Sequence, residues 1–205
     1  GSKDTADTTF GTTVTFSCDA GYDLSGATTT NCAADGNWTD ATPSCTPRDC
    51  GPLTEPSNGT VDTSGGTLFG ASASYGCESG YELVGDVSRT CEASGNWSGL
   101  PPTCAPVDCG DPGSAVNAST SDAGTSYLAS RTYTCATGYT LDGSTGGSTT
   151  TTISCLANGS WDASAPACQP VSCGAPPAGT NATRVGGTYT FGATVTYPCD
   201  AGHTL

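Results

Sequence analysis

The sequence predicts an all-β protein made of small disulfide-stapled modules that follow one another in tandem as an elongated string. Its thirteen cysteines fall into a pattern that repeats about every sixty residues. Short runs of alternating apolar and polar residues are typical of strands, and the Gly, Ser, Thr and Asn clusters between them are typical of turns. No window has the apolar periodicity of an amphipathic helix. Repetition at a fixed spacing indicates repeated structural units.

The cysteine pattern predicts four modules, at residues 1–45, 50–104, 109–168 and 173–205. The first has only three cysteines and the fourth only two, which predicts that residues 1–45 are truncated at the N-terminal side and residues 173–205 at the C-terminal side. Residues 190–205 align without gaps on residues 9–24, three modules earlier. The chain is therefore expected to be a window on a longer array.

The strand signal is clearest before the second cysteine of a module. Residues 12–18 alternate, with Val14, Phe16 and Cys18 on one face and hydroxyl residues on the other. This alternation predicts a strand with one buried face. Residues 193–197 repeat the pattern and predict an equivalent strand.

Aromatic and glycine residues recur in phase with the cysteines. A Phe-Gly pair precedes the second cysteine and a Gly-Tyr-x-Leu segment follows it; a Trp and then a Pro precede the fourth. These positions are Phe10, Phe69 and Phe191; Tyr22, Tyr81 and Tyr139; Trp38, Trp97 and Trp161; and Pro43, Pro102 and Pro166. The tryptophans and tyrosines are predicted to fill the core beside the disulfides. The third repeat differs: Tyr127 and Arg131 stand where the others have Phe-Gly, and a Thr-rich insert precedes Cys155.

This combination resembles the sushi family, also called complement control protein modules, over essentially the whole chain. Four cysteines alone allow three pairings. The resemblance implies that the first cysteine pairs with the third and the second with the fourth. The implied bridges are Cys18–Cys45, Cys50–Cys91, Cys77–Cys104, Cys109–Cys155 and Cys135–Cys168. Cys32, Cys173 and Cys199 remain, either as thiols available for intermolecular bridges or with partners outside the segment.

Disulfides compensate for a small apolar content. Leu, Ile, Val and Phe make up only about 11% of the chain, which alone would suggest disorder. Small secreted domains add disulfides, which require an oxidising compartment, so the protein is predicted to be extracellular, secreted or at the cell surface. The sequence shows neither an apolar stretch long enough for a membrane span nor a signal peptide.

The segments between modules are short and similar. Residues 46–49, 105–108 and 169–172 each have proline in second place. Because proline fixes φ and restricts the preceding residue, these linkers predict a semi-rigid connection.

Glycosylation is the modification that the sequence predicts. Six asparagines lie in Asn-x-Ser/Thr sequons and repeat in phase with the modules: Asn37, Asn58, Asn96, Asn117, Asn158 and Asn181. Asparagine is also favoured in turns, which is an alternative reason for the asparagines but not for the hydroxyl residues two places on. Residues 28–30 and 148–152 are candidates for O-linked glycans.

Composition argues against several other functions. The net charge is −14 and the five basic residues are scattered, so nucleic acids, heparin-like polyanions and anionic membranes should be repelled. The single histidine, His203, occupies the tyrosine place of a Gly-Tyr-x-Leu segment, so no catalytic pair can be assembled and no enzyme is predicted. The sushi pattern assigns the Cys-x4-Cys pairs to neighbouring modules rather than to zinc. Asp19 and Asp23 suggest calcium, but the third repeat has Ala136 and Thr140 there. No cofactor is predicted.

Two functions remain open. The first is an extracellular structural or adhesive protein, a glycosylated array that forms a rod or fibre by contacts between neighbouring modules or copies of itself. The alternative is a complement-regulator-like or receptor-type ectodomain that binds a protein ligand. A binding module needs a surface that its neighbours lack, and the insert at residues 143–152 is the sequence candidate for one.

Overall fold

The computed structural model describes residues 1–121 and 124–204, so Leu205, the end of the fourth Gly-aromatic-x-Leu segment, lies outside the described residues. The chain divides into two compact units, Gly1–Ala105 and Pro106–Leu205. Within the described residues there are strands but no α-helix, which confirms the predicted all-β class. The strands have between two and six residues.

The first ten strands are β1 (Ser2–Lys3), β2 (Thr13–Ser17), β3 (Tyr22–Ser25), β4 (Thr29–Asn31), β5 (Ser44–Pro47), β6 (Gly59–Asp62), β7 (Ser72–Cys77), β8 (Tyr81–Val84), β9 (Ser88–Thr90) and β10 (Thr103–Pro106). The other five are β11 (Ala118–Thr120), β12 (Ser130–Cys135), β13 (Tyr139–Thr140), β14 (Thr150–Ser154) and β15 (Gln169–Pro170).

Each of the first three modules builds the same pair of small sheets. The three-stranded sheets have the orders β1-β2-β4, β6-β7-β9 and β11-β12-β14, and the two-stranded sheets are β3-β5, β8-β10 and β13-β15. In the three-stranded sheets the central strand, β2, β7 or β12, pairs antiparallel with both neighbours. Its alternation decides which side chains enter the core. In β2, Val14 is 4% exposed and Phe16 is half-buried, whereas the hydroxyl residues between them are exposed.

Cystines form much of the small core. Four of the buried hydrophobic residues are cysteines: Cys91, Cys135, Cys155 and Cys168. The structure contains the five disulfides that the sushi resemblance implies, with Cα–Cα distances of 5.7–5.8 Å and sequence separations of 27–46 residues. Loop entropy makes each worth about 3–4 kcal/mol. Cys32, Cys173 and Cys199 are unpaired, and Cys173 is exposed.

The strand predicted at residues 193–197 is wrong. Only one isolated bridge falls there, Val185 with Thr196, and a second, Ala182 with Cys199, lies just after it. In the other modules the central strand also pairs with a strand that leads to the third cysteine. The described residues after Cys173 include no such strand, so residues 193–199 pair only with the segment before them, at Ala182 and Val185.

The three tryptophans differ in burial. Trp97 is 9% exposed and its Nε1 donates to the Gly51 carbonyl at 2.9 Å. Trp161 makes the same bond to Gly110 and is half-buried. Trp38 is 40% exposed, because residues 1–17 contain no cysteine-glycine pair to offer that carbonyl. The core prediction therefore fails for Trp38.

The third repeat keeps the Phe-Gly turn with other residues. Leu128, not Arg131, takes the glycine position, because its N–H donates to the third cysteine's carbonyl as Gly70 does. Leu128 has φ of 70°, beside 86° for Gly70. A side chain in this left-handed region is strained, and Leu128 is held there by its neighbours.

Tyr75 and Tyr133 provide a matched test of core hydrogen bonding. Tyr133 is fully buried and its hydroxyl donates to the Gly113 carbonyl at 2.7 Å. The Tyr75 hydroxyl is buried with no hydrogen-bond partner in the described part of the chain. We expect Tyr133→Phe to destabilise its module by about 1 kcal/mol and Tyr75→Phe to be neutral or stabilising.

Amide hydrogen exchange in each module, with disulfides intact, measures both variants. Phe16 already stands at the equivalent position of the first module, so phenylalanine fits the site. Equal losses of protection in the two variants would contradict the role given to the Tyr133 bond.

Candidate functional site

The contacts that join consecutive modules are the best-defined shared sites in the structure. The first junction joins residues 1–45 to residues 50–104 through residues 46–49, inside the first compact unit. The last junction joins residues 109–168 to the residues after Cys173 through residues 169–172, inside the second.

At both junctions the linker residues take part in strand pairing or backbone hydrogen bonds. Pro47 belongs to β5 and pairs with Tyr22, and Asp49 forms a bridge with Leu68 of the following module. At the last junction Pro170 pairs with Tyr139, and Ser172 forms a bridge with Thr190. Each linker therefore continues the last strand of one module directly into the pairing of the next.

The third linker residue connects both modules through its peptide groups. The Arg48 N–H donates to the Gly21 carbonyl at 2.9 Å, and the Arg48 carbonyl accepts from the Phe69 N–H at 2.7 Å. Val171 repeats both bonds with Gly138 and Phe191, at 2.9 and 2.8 Å. We call this pair of bonds the backbone relay.

An aromatic ring packs on a glycine at each junction. Phe69 meets Tyr22 edge-to-face, with centroids 5.7 Å apart, and Phe191 meets Tyr139 at 5.8 Å. A Cβ on Gly21 would overlap the Phe69 ring, and one on Gly138 would overlap Phe191. Such pairs contribute about 0.5–1.5 kcal/mol beyond area burial.

This contact corrects the prediction that the Gly-Tyr-x-Leu tyrosines fill the core. Tyr22 is 38% exposed and packs on the ring of the next module. The signal was present in the sequence, since Gly-Tyr and Phe-Gly recur together. Phe10 lies on the same kind of turn, where Gly11 has φ of 81°, and is 74% exposed.

The fourth linker residue orders the start of the following module. Asp49 Oδ1 accepts from the Gly51 N–H at 2.9 Å. A hydrogen bond from the Thr67 side chain, and then the Gly51 bond, lower the pKa of Asp49. A lowered pKa means that this contribution to stability is present above the ordinary carboxyl pKa and is lost as the pH falls through the lowered one. Asp108 is held in the same way by Thr125 and Gly110.

The first junction carries an additional ionic contact. Arg48 Nε lies 2.9 Å from Asp23 Oδ1 in the first module, and its Nη1 donates to the Ala93 carbonyl of the second at 2.9 Å. One guanidinium thus touches both modules. At the last junction the corresponding residues, Val171 and Thr140, are uncharged.

At the last junction the insert of the third module contacts the linker, where the first junction has the Arg48–Asp23 contact. β13 ends at Thr140, so its pairing with β15, the last strand of the third module, also ends there. The Ser172 N–H donates to the Gly143 carbonyl at 2.9 Å, and Thr145 Oγ1 donates to the Ser172 carbonyl at 3.5 Å. The Asp142 carboxylate fixes the turn by accepting from the Ser144 N–H at 2.9 Å and from its hydroxyl at 2.8 Å.

All six sequon asparagines are exposed. Three of them adopt left-handed φ angles of 53–57°, which asparagine tolerates better than most residues: Asn58, Asn117 and Asn181. The Asn58 carbonyl accepts from the Glu78 N–H at 2.9 Å, and the other two make equivalent bonds. Turn geometry therefore explains these asparagines without a glycan.

Two sequon hydroxyls have a structural use that the sequence did not reveal. Thr39 Oγ1 accepts from the Asn31 N–H at 3.0 Å, and Ser98 Oγ accepts from the Thr90 N–H at 2.9 Å. In the third module the Asp162 carboxylate takes this role by accepting from the Ser154 N–H at 2.9 Å. The hydroxyls at positions 39 and 98 are therefore not specific evidence for glycosylation.

Other chemical sites are few. Among the described residues, no three His, Cys, Asp or Glu side chains gather as a metal site would require. No helix in the described ranges could cross a bilayer. The second module exposes Val84, Val87 and Leu100 by 56%, 67% and 82%. We call these three residues the apolar patch of the second module.

Comparison with known proteins agrees with this repeated architecture. A family model described as the Sushi repeat (SCR repeat) matches residues 2–45, 50–104 and 109–168. The chain belongs to the sushi repeat family. Its disulfides and its family place it outside the cell, secreted or at the cell surface.

Its relatives are much longer than this chain. The Mus musculus protein "Sushi, von Willebrand factor type A, EGF and pentraxin domain-containing protein 1" is 43% identical over 197 residues, which cover 96% of this chain and 5% of that protein. E-selectin of Canis lupus familiaris is 33% identical over 92% of this chain and 32% of its own length. P-selectin of Mus musculus is 32% identical over 96% of this chain and 26% of its own.

Gly21 and Gly36 provide a matched test of the junction contact. Both have positive φ, at 89° and 82°, so alanine is strained at either. Only at Gly21 would the added Cβ overlap the next module's ring, since nothing lies within 4 Å of a Cβ at Gly36. We expect Gly21→Ala to cost about 1–3 kcal/mol more at the junction.

Exchange of the Phe69 amide, which donates to Arg48, measures this loss. Gly36→Ala should leave that amide protected. Equal protection of the Phe69 amide in both variants would contradict the contact.

Proposed function

We propose that the protein is a structural or adhesive array, in which glycosylated sushi modules form a rod or fibre through contacts with neighbouring modules and copies of the chain. The recurrence of the backbone relay and of the Phe-on-Gly contact at the first and last junctions carries this proposal. A step repeated head to tail generates an open filament unless its rotation closes.

The proposal includes a fourth module that begins at Cys173. The Cys173 N–H donates to the Tyr189 carbonyl at 2.6 Å, as Cys50 does to Thr67 at 2.9 Å. The Tyr197 hydroxyl donates to the Pro177 carbonyl at 2.8 Å, which matches Tyr133 in the third module. These bonds support the boundaries 1–45, 50–104, 109–168 and 173–205.

We propose no catalytic activity for these modules. Ten of the thirteen cysteines are in disulfides, and His203, the single histidine, is exposed. With a net charge of −14, the array is expected to avoid nucleic acids and anionic membranes.

Negative-stain microscopy of the native source protein tests the rod or fibre. We expect filaments or rods with a regular axial repeat, because the first and last junctions share the backbone relay and the Phe-on-Gly contact. Isolated compact particles at all concentrations would contradict the fibre and favour a binding ectodomain.

We also propose N-linked glycans on the exposed sequons, with O-linked glycans on exposed threonines of the Thr-rich segments such as Thr28; Thr30 is 5% exposed and is therefore not a site. Asn58 gives the sharpest site, because Thr60 lies at an exposed strand position of β6. Hydrated chains along the modules would hinder lateral pairing of exposed strand edges.

Thr60→Ala and Thr60→Ser form the matched pair for this proposal. Alanine removes the sequon and serine keeps it, while both retain the Asn58 turn. In protein from a secretory host we expect intact mass to fall by one glycan only in Thr60→Ala. Identical masses apart from the side-chain change would leave Asn58 as a turn residue.

One observation favours a receptor-type ectodomain as a second candidate. At the positions of the apolar patch of the second module, the first module has Ser25, Thr28 and Ala41. Its two loops are adjacent, since a Cβ on Gly99 would lie 2.9 Å from Asp86 Oδ2. Apolar side chains exposed at positions where the first module has small or polar residues suit a protein ligand. Cross-linking on source tissue, lost in a Val87→Thr, Leu100→Ala variant, would support this candidate.

A further inference from the structure

We propose that the insert of the third module is a brace for the last junction, which replaces the ionic clamp that Arg48 forms at the first. The insert is then part of the connection between modules and not a loop for an external ligand. This inference rests on the contacts within each junction and does not require that the array forms fibres.

The shared contacts of the two junctions leave one requirement unmet. The backbone relay and the aromatic ring both act at the third linker residue and the Gly-aromatic pair. These contacts and the bridges of Asp49 and Ser172 all lie along the linker, so they restrict separation but leave rotation about the linker direction. A further contact to one side of the linker is needed to fix the orientation.

Arg48 supplies this contact at the first junction. Its guanidinium spans from the Asp23 carboxylate to the Ala93 carbonyl, at 2.9 Å in each case. The Arg48 and Asp23 side chains are 39% and 62% exposed, so salt should screen the ion pair.

The insert supplies the orienting contact at the last junction. The segment from Gly138 to Cys155 is six residues longer than the segment from Gly80 to Cys91. In this segment the Gly143 carbonyl accepts from the Ser172 N–H, and the Thr145 hydroxyl donates to the Ser172 carbonyl. The bonds are between neutral groups, so salt should affect them little.

The ion pair and the insert do not occur together at either of the two junctions. Asp23 and Arg48 are both charged, whereas Thr140 and Val171, which stand at the same places, are both uncharged. Both members of the ion pair are thus absent at the junction where the insert is present. Asp142 and Ser144 fix the insert from within, so it meets the linker already folded.

Residual dipolar couplings of the full disulfide-bonded chain in a neutral stretched gel test the proposal. Two modules that are rigidly joined report the same alignment, and a loosened pair reports different ones. Salt is varied from about 0.01 M to about 1 M, which shortens the Debye length from about 30 Å to about 3 Å. We expect salt to separate the alignments at the first junction and to leave the last junction unchanged.

Variants test the role of the Arg48 ion pair at the first junction and of the insert at the last. Arg48→Val, which copies Val171, should loosen the first junction at low salt and abolish its salt response. Deletion of residues 144–149 gives the third module the loop length of the second and should loosen only the last junction. Adding Thr140→Asp and Val171→Arg to the deletion should restore the last junction at low salt but not at high salt.

Amide exchange in β12 and formation of the Cys109–Cys155 bridge verify that the deletion variant folds. A folded deletion variant with an unchanged last junction would overturn the proposal and leave the insert as a ligand loop. The proposal would also be overturned if Arg48→Val kept the wild-type salt response. Failure to find filaments by microscopy would overturn the fibre without affecting this result.

Discussion

The disulfide framework is the constraint on which the rest of the structure depends. Each of the first three modules has strands of two to six residues and a core of only a few side chains, among which are cystine sulfurs such as Cys91 and Cys155. So little apolar burial cannot offset the conformational entropy of about sixty residues. The bridges reduce that entropy in the unfolded chain and also fill the space that larger side chains would occupy.

The framework also explains how a chain so rich in glycine, serine and threonine can present precise surfaces. The second cysteine of each module lies between the Phe-Gly turn and the Gly-aromatic pair. Bridging it to the fourth cysteine holds the end of the module beside the aromatic pair, as the pairing of Tyr22 with Pro47 shows. The third linker residue then hydrogen-bonds to the module before it and to the module after it.

Repetition made the module plan and the all-β class predictable from the sequence. Cysteine spacing indicates the repeated modules even in a chain rich in small polar residues. The alternation around Val14 corresponds directly to the burial pattern of β2. The sushi resemblance supplied the pairing, which the spacing alone could not decide.

Features that depend on tertiary partners were not predictable. Tyr22 resembles a core residue in sequence, but its partner Phe69 is in the next module. The sequon pattern predicts that Thr39 and Ser98 serve glycosylation, but their hydroxyls accept from backbone N–H groups eight residues away, which the pattern does not show. The alternation at residues 193–197 is real, but a strand also needs neighbours, which that segment lacks on one side.

Reduction of the native protein tests the central claim most directly. Amide exchange is measured before and after complete reduction and alkylation, with a sample alkylated without reduction, which modifies free thiols only, as the control. The account predicts that the control keeps its slowly exchanging amides and that the reduced chain loses them in all modules. Persistence of protected amides in β7 and β12 after reduction would contradict it.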